Sequence, residues 1–366
     1  MFKCDPTCFS IMNFKSKPTT ALIGILMILL LGSVAWGKTV GISNPTIRNL
    51  ERFVYLADQG ILNVDDLKII GVFHENQTSL IQRSREFAQQ HGDAHISFVI
   101  LKGEPEPQKL FSKNQWSSQF ETLFESTDGF IFNGGPDIPP FLYDEETLLG
   151  TGIMGKERLW ELSLIAHLLG SSRDQSLVPL MNSREDYVVF GICLGMQEMN
   201  VATGGSMYQD IPLQLYGIQT YEAYHRLDSN LRHRNDLSKM GYLEDDVMGL
   251  QFHPLLLTKG SFLAKLTSED SASSVVVPSV HHQALKEIAP EFEVVATSID
   301  GKVAEAIQHR VYPNVCGIQF HPEISELYDH EAIKIGNGIF FKIDPANEAF
   351  YRSIWAYLSD CLQKQN

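Results

Sequence analysis

The stretch 188–212, VVFGICLGMQEMNVATGGSMYQDIP, constrains this chain more than any other. A β-branched apolar run, Val188-Val189-Phe190, meets Gly191-Ile192-Cys193-Leu194-Gly195, and residues 194–203 then read as a helix stopped by Gly204-Gly205. This predicts a buried strand, a sharp turn and a helix, with a cysteine at the turn. Glycines on both sides let the backbone bend tightly there, and the helix aims its first N–H groups and positive dipole end at the thiol. A thiol so placed ionises more easily than a free one. The same pattern also suits a cysteine that is only a small buried hydrophobe, the commoner fate of a lone thiol at an apolar junction.

The flanking sequence supplies a sheet for that turn. Residues 38–42, 67–73 and 95–101 read as buried strands, 79–90 as an amphipathic helix, and 129–133 as a strand ending in Gly134-Gly135-Pro136-Asp137. Short apolar runs alternating with helices predict an α/β fold with a mostly parallel sheet. Residues 292–297 and 302–308 read as a hairpin around Asp300-Gly301, and Phe350, Ile354, Tyr357, Leu358 and Cys361 stripe a C-terminal helix.

Residues 21–36, ALIGILMILLLGSVAW, form an uncharged apolar block after Lys15 and Lys17, with Ala35 and Gly37 at the small-residue positions of a cleavage site. Residues 1–37 are therefore expected to be a signal peptide of a secreted or periplasmic protein. An uncleaved N-terminal membrane anchor stays open, as does a start at Met12 instead of Met1. Residues 38–366 are expected to form a single domain. With 44 acidic against 29 basic residues the chain is acidic, which disfavours nucleic acid and anionic membrane as partners. Beyond residue 37 only Cys193, Cys316 and Cys361 remain, an odd and sparse set that makes no disulfide framework. Cys316 and Cys361 read as packing, in a strand and a helix.

The polar stretch 221–248, with Tyr224, His225, Arg226, His233 and Arg234, reads as a solvated loop or lid. A metal site is the sharper alternative, but these histidines lack helical spacing and no carboxylates converge on them in the sequence. No metal and no cofactor are expected. QFHP occurs twice, at 251–254 and 319–322, and only the second continues into an acid, Glu323.

GICLGMQ followed by NVATGGSMYQDIP closely resembles the nucleophile segment of class I glutamine amidotransferase-like hydrolases, nearest to the gamma-glutamyl-gamma-aminobutyrate hydrolase, or gamma-glutamyl hydrolase-like, cysteine peptidases. The resemblance covers most of residues 129–323. It implies a flavodoxin-like sheet with helices on both faces, and a triad of Cys193, His321 and Glu323. The turn at Gly134-Gly135 resembles the family's G-G-x-D loop, which implies an oxyanion hole of the N–H groups of Gly135 and Leu194. Gly134 and Gln197 are implied to hold the glutamyl group, and the loop Ser279-Val280-His281-His282-Gln283 to form a wall of the pocket through Ser279, His281 and His282. This chain departs from the family pattern at Glu157-Arg158, at Pro278, and in insertions near 171–187, 221–248 and 327–344. The implied activity is hydrolysis of a small γ-glutamyl compound by a cysteine nucleophile, through a thioester. A glutaminase subunit feeding ammonia to a synthase, and a non-catalytic binding protein on the same fold, stay open as alternatives.

Overall fold

Apolar runs of four to seven residues, each closed by a turn, build the sheet that positions everything else. The computed structural model describes residues 37–92, 95–235, 247–267 and 275–365. The expected signal segment falls, except for Gly37, outside the described residues, as do residues 236–246 of the polar stretch. In chain order the strands are β1 (Thr39–Ser43), β2 (Lys68–His74), β3 (Ile96–Leu101), β4 (Gly129–Phe132), β5 (Val188–Ile192), β6 (Met207–Tyr208), β7 (Gln251–Leu257) and β8 (Val276–Ser279). They continue with β9 (Ala284–Leu285), β10 (Phe292–Ser298), β11 (Ala304–His309), β12 (Val315–Ile318), β13 (Ala332–Gly336) and β14 (Ile339–Lys342).

Ten of these strands form one sheet in the order β3-β2-β1-β4-β5-β12-β11-β10-β7-β8. The first six run parallel, and the remainder continue antiparallel from β12. This is the expected α/β, flavodoxin-like arrangement, extended on one edge by four antiparallel strands. The hairpin read around Asp300-Gly301 is β10–β11 within that extension. β13 and β14 pair as a separate hairpin over the region read as a late insertion.

Strand alternation divides the core into two layers, one on each face of the sheet. Val188, Phe190 and Ile192 of β5 join one layer with the helices Ile47–Asp58 and Pro345–Gln363, while Val189 joins the other. Helix Pro345–Gln363 is capped by Asp344, starts with Pro345 and buries Phe350, Tyr351, Ile354, Trp355, Leu358 and Leu362. Each such side chain contributes about 1.5–3 kcal/mol of burial energy. The helix Leu194–Thr203 is buried on all sides, between the sheet and the equally buried helix Trp160–Leu169. That explains why its sequence shows no polar stripe.

The polar stretch corrects one expectation. Residues 221–235 do not form a wholly solvated loop: they include the helix Tyr221–Arg226 and bury Tyr224 and His233. The Tyr224 hydroxyl accepts the backbone N–H of His233, which pulls that segment inward. Among the described residues, no helix is long and apolar enough to cross a membrane.

Candidate active site

Three neighbouring parallel strands deliver the site from their carboxyl ends, where open α/β sheets place their ligands. β4 runs into Gly134-Gly135, β5 into Cys193, and β12 into His321 and Glu323. Register aligns Ile318 with Ile192, and the Cys193 N–H donates to the Ile318 carbonyl at 2.8 Å. Cys193 is the cap of the helix Leu194–Thr203 and takes φ 54°, a conformation that L-residues rarely adopt. Such strain at a strand-to-helix turn is what exposes a nucleophile above a sheet.

The flanking glycines have steric reasons. A Cβ on Gly195 would overlap the Phe132 carbonyl, and one on Gly191 would strike Met199 and the helix backbone at Gly195 and Met196. Gly195→Ala is therefore expected to cost about 1–3 kcal/mol, the scale of overpacking. Urea unfolding checks this, and a variant as stable as the parent would show that the turn is not held this tightly.

His321 turns Nδ1 to Glu323 Oε1 at 2.7 Å and lines the same cavity as Cys193. Nε2 is thus the nitrogen left to exchange protons with the thiol. Burial alone would lower the His321 pKa, but the Glu323 carboxylate and Cys193 outweigh it and hold the imidazole up to about 10. Burial likewise pushes Glu323 up, and the charge and hydrogen bond of His321, helped by Arg52, overcome it and keep the carboxyl below its ordinary value. Arg52, from the helix Ile47–Asp58, donates Nη1 to Glu323 Oε1 at 3.3 Å. The sequence carried no signal for that contact, because Arg52 sits in an ordinary amphipathic helix far from residue 323.

Gly134 and Gly135 line one cavity of about 780 Å³ together with Cys193, His321, Arg48, Glu51, Arg52 and Val280. A Cβ on Gly135 would run into the Arg158 guanidinium, which grips Glu161 with two hydrogen bonds of 2.8 and 3.1 Å. The Glu157-Arg158 departure noted in the sequence thus places a cation directly behind the glycine turn. Asp137 braces the same turn: its Oδ2 accepts the Gly152 N–H at 2.6 Å, and its Oδ1 lies 3.1 Å from His282 Nε2.

A sequence model of the family described as peptidase C26 matches residues 68–323, from β2 through the acid of the His321–Glu323 pair. The chain belongs to the peptidase C26 family. It is similar to protein NtpR of Enterococcus hirae, 30% identical over 59% of this chain and 73% of that protein. The gamma-glutamyl-gamma-aminobutyrate hydrolase PuuD of Escherichia coli K12 is 29% identical over 56% of this chain and 68% of its own length. The gamma-glutamyl-gamma-aminobutyrate hydrolase of Shigella flexneri is 33% identical, with the same two coverages, 56% and 68%. Membership makes the chain a glutamine amidotransferase-like class I hydrolase of the cysteine peptidase kind.

Against the expectations for this peptidase C26 protein, the structure brings together Cys193, His321, Glu323, Gly134 and Gly135, with Leu194 opening the helix behind the thiol. The other assigned residues do not line this cavity. Gln197 is buried and donates to Gln319 Oε1 at 3.2 Å and to the Gln283 carbonyl at 3.4 Å, tying the helix to the loop instead of lining the cavity. In the loop after β8 it is Val280 that reaches the cavity; Ser279 and His281, on either side of it, point into the interior. The alternation of an extended strand causes this inversion. His282 lies between Asp137 and Asp210 and lines a second cavity of about 460 Å³ with Arg234 and Tyr221. Burial would lower its pKa, and the two aspartates instead raise it above the ordinary value.

Of the two QFHP histidines, His253 is fully buried in β7, with Nε2 2.7 Å from Ser279 Oγ, and it does not line the catalytic cavity. Cys316 is buried in β12, and burial pushes its thiol pKa well up; Cys361, half-buried on the C-terminal helix, is raised for the same reason. The expectation that no carboxylate converges on His233 also needs correction, because Glu305 of β11 lies 3.1 Å from its Nδ1.

Proposed function

We propose that this protein hydrolyses the γ-glutamyl amide bond of a small γ-glutamyl compound or peptide through a thioester on Cys193. The observation that carries the reading is Cys193, on a positive-φ turn, sharing a cavity lined by Gly134 and Gly135 with His321 of the His321–Glu323 pair. Membership of a hydrolase family, and relatives named gamma-glutamyl-gamma-aminobutyrate hydrolase, support it.

In the first step the Cys193 thiolate attacks the γ-carbonyl carbon, and the carbonyl electron pair moves to oxygen. The backbone N–H groups of Gly135 and Leu194 stabilise that oxyanion; Leu194, in the first turn of a helix, has an N–H without an intrahelical partner. Collapse breaks the C–N bond, and the departing amine takes the proton from His321. Neutral His321 then removes a proton from water, the hydroxide adds to the thioester, and collapse releases glutamate and returns the thiolate. One water is consumed, and the proton ends on His321. Glu323 orients the imidazole and stabilises its charged form, and Arg52 holds Glu323.

The glutamyl end carries a carboxylate and an ammonium, and the cavity offers both complements in Arg48 and Glu51. A panel of γ-glutamyl amides and peptides, analysed by mass spectrometry, is expected to yield glutamate and the free amine. Arg48→Ala is expected to raise KM about tenfold or more with little change in kcat, the scale of one charged hydrogen bond. Turnover of α-linked but not γ-linked glutamyl compounds would overturn the proposal.

A further inference from the structure

Behind the wall of the catalytic cavity lies a polar cluster that the chemistry above does not use. His233, His253 of β7, His281 after β8 and Glu305 of β11 each offer one ligand atom, and these atoms all lie within 4.8 Å of one another. The four side chains are 0–2% exposed. Glu305 Oε1 is 3.1 Å from His233 Nδ1 and 3.7 Å from both His253 Nε2 and His281 Nε2.

Hydrogen bonds account for one atom of this arrangement only, His253 Nε2, which lies 2.7 Å from Ser279 Oγ. A separation of 3.7 Å is too long for one. Among the described residues, neither oxygen of Glu305, neither ring nitrogen of His233, nor His281 Nε2 has a hydrogen-bond partner. The far nitrogens set two of the tautomers: His281 Nδ1 lies 3.0 Å from the Gln283 carbonyl, and His253 Nδ1 lies 3.3 Å from the Pro254 carbonyl. A carbonyl can only accept, so Nδ1 carries the proton in both rings and Nε2 presents a lone pair, unpartnered at His281 and facing Ser279 Oγ at His253. Two imidazole nitrogens and a buried carboxyl oxygen then face one another with the Ser279 hydroxyl beside only one of them, an arrangement relieved by a proton on Glu305 or by a cation between them. An imidazole fixed through its far N–H to a backbone carbonyl is also how metal-ligating histidines are held. Spacing points the same way, since a tetrahedral ion with bonds of about 2.0–2.1 Å sets its ligand atoms about 3.4 Å apart. The distances from Glu305 Oε1, 3.1 and 3.7 Å, bracket that value, and the four atoms, all within 4.8 Å of one another, draw together on binding.

We infer that His233, His253, His281 and Glu305 hold a divalent metal ion of the zinc type. Three imidazoles and one carboxylate suit zinc over the oxygen-seeking calcium and magnesium. Four protein ligands with no open position make a structural site, not a catalytic one. The ion joins the 221–235 segment, β7, β11 and the loop that carries Val280, and so fixes one wall of the catalytic cavity. Ser279 Oγ, 2.7 Å from His253 Nε2, donates to that lone pair in the metal-free chain and gives it up to the ion.

The test uses the full chain with Cys193→Ala, so that the catalytic thiol binds no metal. After chelator treatment, zinc chloride addition and desalting, elemental analysis is expected to find about one zinc ion per chain, the content of a single closed site. X-ray absorption is expected to show a nitrogen and oxygen shell with imidazole scattering, and thermal unfolding to shift upward with zinc. Adding Glu305→Gln or His233→Gln is expected to weaken zinc binding at least tenfold and to remove the thermal shift. A folded parent that takes up no zinc overturns the inference, and so does zinc held without imidazole scattering. If the Gln variants do not fold, the zinc content and scattering of the parent decide alone.

Discussion

Replacing Cys193 with alanine or serine is expected to lower γ-glutamyl amide turnover on the order of 10³-fold or more, the scale on which enzymes lose an activated nucleophile. The fold should survive, because the substitutions add no atoms at the φ 54° turn. Intact-mass analysis after mixing with substrate should show an adduct of one glutamyl group on the parent and none on the variant. Sub-stoichiometric iodoacetamide at mildly acidic pH should label Cys193 first, with activity falling in proportion. The reason is contrast. Cys193 lines the cavity beside a histidine that its neighbours hold charged, whereas burial keeps Cys316 and Cys361 protonated to higher pH than a free thiol. A label on Cys316 or Cys361 with loss of activity, or full turnover by Cys193→Ser, would remove the centre of the proposed mechanism.

His321→Ala is expected to abolish acylation as completely, while His253→Ala should still acylate and lose about 1–3 kcal/mol of stability, the cost of stranding buried polar partners. Glu323→Gln isolates the electrostatics. It removes the carboxylate that outweighs burial at His321, so the imidazole pKa should fall from about 10. The alkaline limb of kcat/KM should then move to lower pH, a shift that a purely structural loss would not produce. The signs for stability follow from the same pair. His321 is raised above its ordinary 6.5, so its share of stability is full below that pH and is lost as pH rises through about 10. Glu323 is lowered below its ordinary 4.5, so its share is present above that pH and is lost as acid protonates it. The gap in denaturant midpoint between the parent and the Glu323→Gln variant should be widest between the two ordinary values and shrink toward both ends of the pH range. An unchanged alkaline limb would mean that Glu323 does not set the charge on His321.

Much of this site could be read in the chain because its features are local. Gly191, Cys193 and Gly195 report a tight strand-to-helix turn within five positions, and Gly204 ends the helix within one more helical span. The choice between the two QFHP copies rests on their surroundings: the second follows a strand and continues into Glu323, which the structure places 2.7 Å from His321, whereas the first runs into a segment resembling the family's non-catalytic one. The wall of the cavity was read less well. The resemblance drew attention to Ser279, His281 and His282, but strand alternation turns Val280 to the cavity and the first two inward, and His282 braces Asp137. The solvated reading of residues 221–235 failed similarly, because polarity alone does not reveal that Tyr224 and His233 have buried partners.

By itself, then, the sequence determined the apolar periodicity of the strands, the nucleophile turn, the glycine loop and the His-x-Glu pair, since each depends on backbone freedom or side-chain chemistry over a few adjacent residues. Only the tertiary structure decided that Arg52 supports Glu323, that Arg158 backs Gly135, and that Glu305 meets His233, His253 and His281. Those contacts join segments far apart in the chain, and their partners are chosen by strand order, which sets β12 beside β5 and carries the antiparallel edge out to β7 and β8. No local propensity encodes that order. It follows from burying two apolar faces of one sheet at once, a property of the whole chain.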